Sequence, residues 1–238
     1  MANYRPVSNL TFVSQVTERA VASQLNEYLV ANDLLPRYQS AYRKRYSTEK
    51  AMLRVWWDVL MAADRRQVTL LGLLDLQVCV DHDILLQRLQ FGLGLSDVVL
   101  GWIQSFLTNR MQLVTFNGQL SSKQSVLFGV PQGSVLGPLL YLLYTAELEQ
   151  LILRHGLHIH QYADDSQVYI SVPVSDVQVA VHSFVVCVHH LNEWMRASRL
   201  RLNPTKTQVM WLGSGHQLKH VNISDIDQCP GRRERARP

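Results

Sequence analysis

Residues 158–170 read HIHQYADDSQVYI, and this stretch decides the predicted fold. Two short runs typical of strands flank the segment Ala163, Asp164, Asp165 and Ser166, and this pattern predicts a β-hairpin. Adjacent carboxylates on a turn are most often simply solvated. They repel each other, however, unless a cation neutralises them or one of them takes a proton. The hairpin is therefore a candidate divalent-metal site that needs support from the rest of the chain.

Another carboxylate lies in the most aliphatic stretch, residues 68–80 (VTLLGLLDLQVCV). A nearly continuous aliphatic run predicts a strand that is buried on both faces. Asp75 stands in its middle, and a charged side chain there is unfavourable unless it is paired, hydrogen-bonded or bound to metal. Mg²⁺ prefers a few carboxylates together with waters and substrate phosphates. Asp75 on a neighbouring strand would complete a ligand set with Asp164 and Asp165.

The remaining pattern mixes helices and strands. Segments with apolar residues at helical spacing are 17–30, 47–63, 82–95, 96–107, 138–150 and 177–191. The pair Asn117-Gly118 predicts a turn of a hairpin or a longer loop between residues 111–116 and 125–128, and residues 207–212 predict a strand. Because no strict βαβ repeat is present, we expect an α+β fold with a sheet covered by helices.

The predicted helix 47–63 has a clear start and a clear apolar face. Ser47 is a suitable N-cap, with Lys50 three residues later. The large apolar side chains recur at helical spacing, and we expect them to be buried; they are Leu53, Trp56, Trp57 and Leu60. The two tryptophans are interpreted as core residues rather than as platforms for stacking bases.

Charge favours polyanionic partners only weakly. The chain has 23 Lys and Arg against 19 Asp and Glu, a net charge of +4. Basic residues gather in residues 37–54 and in the C-terminal tail, and such a strip binds phosphates without reading sequence. A solvated face is an equally good interpretation of this charge pattern.

Cysteine spacing and hydropathy exclude several classes of protein. Cys79, Cys187 and Cys229 lie far apart, without the CxxC spacing of a zinc finger or a redox pair, and this usage fits a reducing intracellular compartment. No N-terminal stretch has the order of a signal peptide. The most apolar run, residues 135–146, is short and interrupted, so we expect no contact with a membrane.

Five sequence blocks in a fixed order resemble the reverse transcriptase domain of LINE-type (non-LTR) retrotransposons. They are residues 4–10 (YRPVSNL), 39–49 (QSAYRKRYSTE), 129–138 (GVPQGSVLGP), 162–165 (YADD) and 203–207 (NPTKT). The GVPQGSVLGP block matches the family pattern residue for residue. The resemblance extends over about residues 4–226, and the combination of this block with YADD is highly specific.

The resemblance implies a fold and an activity. The fold is a right-hand polymerase palm with partial fingers, an antiparallel sheet covered by helices, over residues 1–226. The activity is RNA-directed DNA polymerisation with two Mg²⁺ or Mn²⁺ ions, an RNA template, a DNA primer and deoxynucleoside triphosphates. Such an enzyme acts inside the cell, in the nucleus, the cytoplasm or both. Residues 227–238 are expected to be a disordered basic tail on composition.

The resemblance also assigns roles to individual residues. The implied metal ligands and catalytic residues are Asp75, Asp164 and Asp165. The implied contacts to the incoming nucleotide are Arg43, Gln132, Gly133 and Lys206, with the guanidinium fork of Arg43 suited to phosphate oxygens. The implied contacts to nucleic acid are Arg43, Lys44, Arg45 and Tyr162.

One block departs from the family pattern. Residues 75–82 read DLQVCVDH where the family usually has a block like DLSAAFDTVDH, about three residues longer, which is nearly one helical turn. Asp81 is then either a displaced second acid or a helix cap. Val80 is the residue nearest by count to the family's sugar-screening aromatic. Together with an unrecognised endonuclease and thumb, this leaves an alternative: an inactive retroelement-derived fragment acting at most as a nucleic-acid-binding or interaction module.

Overall fold

The computed structural model describes residues 7–43, 46–77, 79–203, 206–221 and 232–235. The chain divides into two compact units. The first consists of Met1–Leu35 and Cys79–Ala146, and the second of Pro36–Val78 and Glu147–Pro238. The region 1–226 that the sequence predicts as a single domain thus comprises two units, each with its own set of elements.

The helices and strands are distributed along the whole chain. The helices are α1 (Phe12–Ala31), α2 (Thr48–Asp64), α3 (His82–Gln87), α4 (Asp97–Leu107), α5 (Leu136–Tyr144), α6 (Glu147–Arg154), α7 (Val177–Ala197) and α8 (Gly215–Leu218). The strands are β1 (Gln67–Gln77), β2 (Met111–Gln112), β3 (Thr115–Phe116), β4 (Gln119–Leu120), β5 (Gln124–Ser125), β6 (His158–Tyr162), β7 (Asp165–Pro173), β8 (Arg201–Leu202), β9 (Gln208–Leu212) and β10 (Arg232–Arg235).

The second unit is built around β1. The sheet order is β10-β9-β1-β7-β6, and β8 pairs with the end of β1. β1 is antiparallel to β7, β8 and β9, and its aliphatic side chains Leu70, Leu74 and Leu76 are buried. Helices α2 and α7 pack on this sheet. The prediction of an α+β fold with an antiparallel sheet covered by helices is therefore confirmed.

The C-terminal tail adds a strand that the sequence did not predict. β10 pairs in parallel with β9, within the segment 227–238 that the sequence expects to be a disordered basic tail. An edge strand presents unpaired N–H and C=O groups that can bind another segment through its backbone, whatever its side chains. Composition therefore could not predict this pairing. The rest of residues 227–238 lies outside the described residues.

Helix α2 begins as predicted but buries the opposite face. The Ser47 side chain accepts a hydrogen bond from the Lys50 N–H at 3.3 Å, as an N-cap does. The predicted core residues are exposed instead: Leu53 66%, Trp56 50%, Trp57 61% and Leu60 56%. The buried face carries smaller side chains, Ala51, Val55, Val59 and Ala62.

The contacts of this buried face explain the error. Val55 and Val59 pack with Leu71 of β1 and Tyr169 of β7. Small and β-branched side chains let a helix lie close to a sheet. α2 has apolar residues on more than one face, so helical periodicity alone cannot decide which face packs.

The first unit contains α1, α3, α4 and α5 together with two two-stranded sheets, β2-β5 and β3-β4. The predicted turn at Asn117-Gly118 joins β3 to β4, with Phe116 paired to Gln119, so a hairpin is confirmed there. α3 continues into a π-helical turn over Arg88–Gly92. The predicted helix 138–150 is instead two helices: α5 ends at Tyr144 in the first unit, and α6 begins at Glu147 in the second unit.

One helical segment has the length and hydropathy of a membrane span. This segment is Val174–Ala197, which contains α7. The buried side chains of α7, including Val181, Phe184, Val188 and Leu191, recur on one face, and the helix packs against β7 and α6. This is the pattern of a core helix that covers a sheet.

Candidate active site

The register of the sheet brings the predicted carboxylates together. Asp75 of β1 pairs directly with Asp165 of β7, and Asp164 precedes Asp165 in the hairpin turn. Directly paired residues of antiparallel strands have Cβ atoms about 5 Å apart. The Asp75 side chain is 21% exposed, whereas Asp164 and Asp165 are exposed. The three carboxylates form the acid trio, at one end of the sheet and open to solvent.

The electrostatics of the acid trio favour a cation. Partial desolvation of the otherwise exposed Asp165 carboxyl raises its pKa, and the charges of Asp164 and Asp75 raise it further, while Lys206 lowers it. A raised carboxyl pKa means that the ionised form is disfavoured in the protein. A divalent cation bound here would relieve the repulsion among the carboxylates.

The acidic turn has an uncommon backbone conformation. Tyr162 pairs with Asp165, so Ala163 and Asp164 form a two-residue turn. Ala163 has φ of 56°, which is uncommon for a residue other than glycine. The turn also affects Tyr42. Burial raises the pKa of the Tyr42 hydroxyl most, and electrostatic interactions with Asp164 and Tyr162 raise it further.

The NPTKT block supports Asp75. The Asn203 side-chain amide donates to the Asp75 carboxylate Oδ2 at 3.0 Å, and the Asn203 backbone N–H donates to the Asp75 carbonyl at 3.0 Å. The Lys206 ammonium lies 3.4 Å from the same Oδ2. Thr207, fully buried, donates its hydroxyl to the Asn203 carbonyl at 2.8 Å. The sequence predicts Lys206 near pyrophosphate, and the structure has it beside Asp75.

Two residues at this site received no role from the sequence. Asn203 orients Asp75, and Gln39 contacts the acidic turn with its side chain, accepting a hydrogen bond from the Ala163 N–H at 3.0 Å. Both residues stand inside recognised sequence blocks. Their position in those blocks could have indicated a role at the site. It could not have indicated their hydrogen-bond partners, which are distant in the chain.

The basic residues after Gln39 are only partly described. The Arg43 guanidinium donates to the Pro36 carbonyl at 2.7 Å and lies over the Tyr46 ring, 5.7 Å from its centroid. Its Nε is buried without a hydrogen-bond partner among the described residues. The Arg43 guanidinium therefore links the loop around residue 43 to Pro36. Lys44 and Arg45, which the sequence assigns to nucleic acid, lie outside the described residues.

The GVPQGSVLGP block lies in the first unit. The Gln132 carbonyl accepts from the Ser8 N–H at 3.0 Å, and the Gln132 side chain is exposed. Gly133 has φ of 92°, a conformation that glycine adopts without strain. The buried Glu18 carboxylate of α1 accepts hydrogen bonds from the Val135 N–H at 2.8 Å and the Leu136 N–H at 3.3 Å, which fixes the start of α5.

The shortened first block ends in a helix cap. The Asp81 carboxylate accepts from the backbone N–H groups of Asp83 and Ile84, both at 3.1 Å, and Asp81 is 3% exposed. Of the two roles that the sequence left open, the helix cap is thus the one observed. Val80, also buried, belongs with Asp81 to the first unit.

A second set of possible metal ligands lies on α7. The ligand atoms of His189, His190 and Glu193 are within 4.8 Å of one another, and all three side chains are exposed. Imidazole ligands of functional metal sites are usually oriented by further hydrogen bonds. His189 and Glu193 are 3.8 Å apart, longer than a hydrogen bond. His190 Nδ1 is 2.9 Å from His155 Nε2, and in the acid trio the Asn203 amide donates to Asp75.

A family model described as reverse transcriptase (RNA-dependent DNA polymerase) matches residues 1–224. The chain belongs to this family. This reverse transcriptase domain is 32% identical over 211 residues to the probable RNA-directed DNA polymerase from transposon X-element of Drosophila melanogaster, covering 87% of the chain and 23% of that protein. It is 29% identical over 240 residues to the RNA-directed DNA polymerase from mobile element jockey of Drosophila funebris, covering 96% of the chain and 24% of that protein. Its similarity to these relatives identifies it as a LINE-type domain. The chain spans about a quarter of the length of these relatives.

Solved structures support the fold. An apo telomerase from Candida tropicalis, truncated from its C-terminal domain, superposes with a TM-score of 0.57 at 16% identity, covering 85% of this reverse transcriptase domain and 41% of that chain. A telomerase from Candida albicans, in complex with a fragment of telomeric RNA, has a TM-score of 0.53 at 13% identity, covering 83% and 34%. At this identity the likeness extends to the fold alone.

The acid trio fits the cofactor that reverse transcriptases generally use, a divalent metal ion. Mg²⁺ and Mn²⁺ prefer oxygen ligands and retain sites for water and phosphate. Three carboxylates at a solvent-open end of the sheet, one of them with a raised pKa caused by burial and the other two charges, supply those ligands. The residues present are thus compatible with such an ion.

Proposed function

We propose that this domain catalyses RNA-templated DNA synthesis from a primer 3′-end, and that the acid trio binds the two divalent ions required. The observation that supports this most directly is the pairing of Asp75 with Asp165 across β1 and β7. Family membership over residues 1–224 gives the reaction type. The exact ligand set, the number of ions and the substrates belong to this proposal.

The reaction is an in-line displacement at phosphorus. The primer 3′-hydroxyl forms a bond to the α-phosphorus of a deoxynucleoside triphosphate, and the bond to pyrophosphate breaks. Divalent ions in such a site activate the attacking oxygen and stabilise the leaving one. Asp75, Asp164 and Asp165 would hold the ions at the end of the sheet, where substrate phosphates would have access from solvent.

Neighbouring residues orient the trio rather than react. Asn203 keeps the Asp75 carboxylate in one orientation through its 3.0 Å hydrogen bond. Lys206 balances part of the negative charge, at 3.4 Å from Asp75. When phosphates enter, its flexible ammonium has another acceptor, consistent with the expected role near pyrophosphate.

Several other residues would contact the substrates. Gln132 and Gly133 would line the incoming nucleotide and the template. Gly133 has no side chain, so its backbone can approach a base closely. Arg43, Lys44 and Arg45 would contact phosphates, and Tyr162 would contact nucleic acid. Because template RNA and chromosomal DNA are the substrates of such enzymes, we propose action in the nucleus, the cytoplasm or both.

Primer extension on poly(rA)/oligo(dT) tests the proposal, with Mg²⁺ and Mn²⁺ in separate reactions. We expect extension by the unmodified domain and its loss, by about 10³-fold or more, in Asp164→Asn and Asp165→Asn, because metal stabilisation of the transition state amounts to several kcal/mol. Asp176→Asn is the matched control: this aspartate is exposed on the same unit. Extension that survives both trio substitutions would overturn the assignment.

A repaired variant tests the shortened first block. Three residues restored after Leu76 return the block to the family length. Extension by both versions identifies a working polymerase, whereas extension by the repaired version alone identifies a palm disabled at this block. Absence of extension in both favours the alternative of an inactive, nucleic-acid-binding module.

A further inference from the structure

The acidic turn needs support from outside the hairpin. Ala163 has φ of 56°, a left-handed conformation that raises the free energy of any residue with a Cβ atom. The next two residues, Asp164 and Asp165, are adjacent carboxylates that repel each other when both are ionised. Both effects oppose the turn, so contacts from elsewhere in the unit must stabilise it.

Gln39 supplies such contacts with both ends of its side-chain amide. Its Oε1 accepts hydrogen bonds from the backbone N–H groups of Ala163 and Ala41, both at 3.0 Å. Its Nε2 donates to the Ala163 carbonyl at 3.2 Å. The Gln39 side chain therefore binds both the N–H and the C=O of Ala163, as a neighbouring peptide group would.

The backbone of Gln39 is itself fixed to the hairpin. The Ser40 N–H donates to the Gln161 carbonyl at 2.9 Å, and the Gln161 N–H donates to the Tyr38 carbonyl at 2.8 Å. The Ser40 hydroxyl is also 3.0 Å from His160 Nε2. Tyr38–Ser40 thus runs parallel to β6, and Gln39 lies opposite Gln161, two residues before Ala163.

Burial makes these hydrogen bonds effective. Gln39 is 1% exposed, so water cannot replace the partners of its amide. An amide that is buried with both its oxygen and its nitrogen hydrogen-bonded has one favourable orientation, because flipping it would set donor against donor and acceptor against acceptor. The turn that precedes the two exposed carboxylates is consequently attached to a rigid, buried group.

We propose that Gln39 is a positioning residue, whose side-chain amide holds the Ala163-Asp164 turn in the geometry that lets Asp164 and Asp165 bind metal. The inference rests on the proposed function of the acid trio. Gln39 itself contacts neither metal nor substrate in this role, and acts through the backbone of Ala163. No comparable support is expected at a turn whose residues favour positive φ by themselves.

The test uses two substitutions of buried glutamines. Gln39→Met removes the amide hydrogen bonds and keeps the length of the side chain. Gln161→Met is the matched control, because Gln161 is 2% exposed and its side chain donates to Ser166 at 3.2 Å rather than to the turn. Both variants lose a buried amide, so both should lower the melting temperature to a similar extent.

The two readouts are independent of polymerase activity. Mn²⁺ affinity, measured by titration calorimetry, should fall about 10- to 100-fold in Gln39→Met, as on removal of groups that orient metal ligands, and should change little in Gln161→Met. Hydrogen exchange of the Ala163 N–H, followed by NMR, should become at least about tenfold faster only in Gln39→Met, because exchange reports local opening. Unchanged exchange and affinity in Gln39→Met, or equal losses in both variants, would overturn the inference.

The outcomes also separate this inference from the proposed function. If Asp164→Asn and Asp165→Asn leave Mn²⁺ affinity unchanged, the trio is not the metal site and both proposals fail. If those two substitutions abolish Mn²⁺ binding while Gln39→Met does not affect it, the proposed function stands and the positioning role alone is excluded.

Discussion

Two hairpins in the described chain turn through two residues, and their turns are stabilised differently. The turn between β3 and β4 uses Asn117 and Gly118, with φ of 48° and 75°. Both residue types favour these angles, and the flanking strands are exposed and two residues long. The turn between β6 and β7 uses Ala163 at φ of 56°, between strands of five and nine residues.

The difference shows how a functional turn departs from its best local sequence. An Asn-Gly turn is specified by its own residues and needs no further support. The acidic turn must present two carboxylates, so it relies on other parts of the fold. These are the Tyr38–Ser40 segment parallel to β6, the pairing of β6 with β7, and the Gln39 amide. Local preference is weaker at such sites, and the surrounding fold compensates.

Among substitutions that leave all three carboxylates in place, the largest effect that we expect concerns Asp75 on the partner strand of the acidic hairpin. Asn203→Ala removes the side-chain hydrogen bond to Asp75, and Mn²⁺ affinity should fall about 10- to 100-fold because the ligand loses its orienting group. Titration calorimetry measures this. Asn192→Ala on α7 makes the same chemical change without removing the Asn203 hydrogen bond to Asp75, and should leave the affinity unchanged. Equal affinities for the two variants would contradict the role of Asn203.

Acidity should weaken metal binding at the acidic hairpin. In the metal-free protein the Asp165 pKa is raised above its usual 3.8, so the folded state binds this proton more tightly than the unfolded state does. The protonated carboxyl stabilises the metal-free fold below this pKa, and that stabilisation is lost as the pH rises through it. A proton competes with the ion, so Mn²⁺ affinity should fall as the pH is lowered from about 7 toward the raised pKa of Asp165. A pH-independent affinity would contradict competition at Asp165.

A smaller effect is expected at the other hairpin. Gly118→Ala places a Cβ atom on a residue at φ of 75°, where no atom lies within 4 Å of it. The substitution therefore introduces backbone strain without a steric clash, and should destabilise the hairpin by about 1 kcal/mol. Urea unfolding measures the change. Mn²⁺ affinity should not change, and a loss of affinity would contradict the independence of the two hairpins.

The smallest effect is expected from the reverse substitution in the acidic turn. Ala163→Gly relieves the strain at φ of 56° but increases the entropy of the unfolded chain, so the net change in unfolding free energy should be under about 1 kcal/mol. In the Gln39→Met background the same substitution should restore part of the Mn²⁺ affinity. No restoration would indicate that Gln39 does more than stabilise the conformation of Ala163.

Much of this molecule follows from its sequence. The aliphatic run around Asp75 predicts β1, the YADD stretch predicts the acidic hairpin, and Asn117-Gly118 predicts the turn of a second one. These features depend on neighbouring residues, whose periodicity and turn preferences act locally. The α+β class and the acidic residues of the site were likewise accessible from the sequence.

Only the tertiary structure decided which residues meet. The sequence could not give the pairing of Asp75 with Asp165, because register depends on contacts between strands about 90 residues apart in the chain. Which face of α2 is buried depended on the shape of the sheet beneath it. The strand at Arg232–Arg235 depended on the edge of the sheet that β9 offers for pairing. The roles of Gln39 and Asn203 depended on partners more than 100 residues away, since hydrogen bonds between distant segments leave no periodic trace in a sequence.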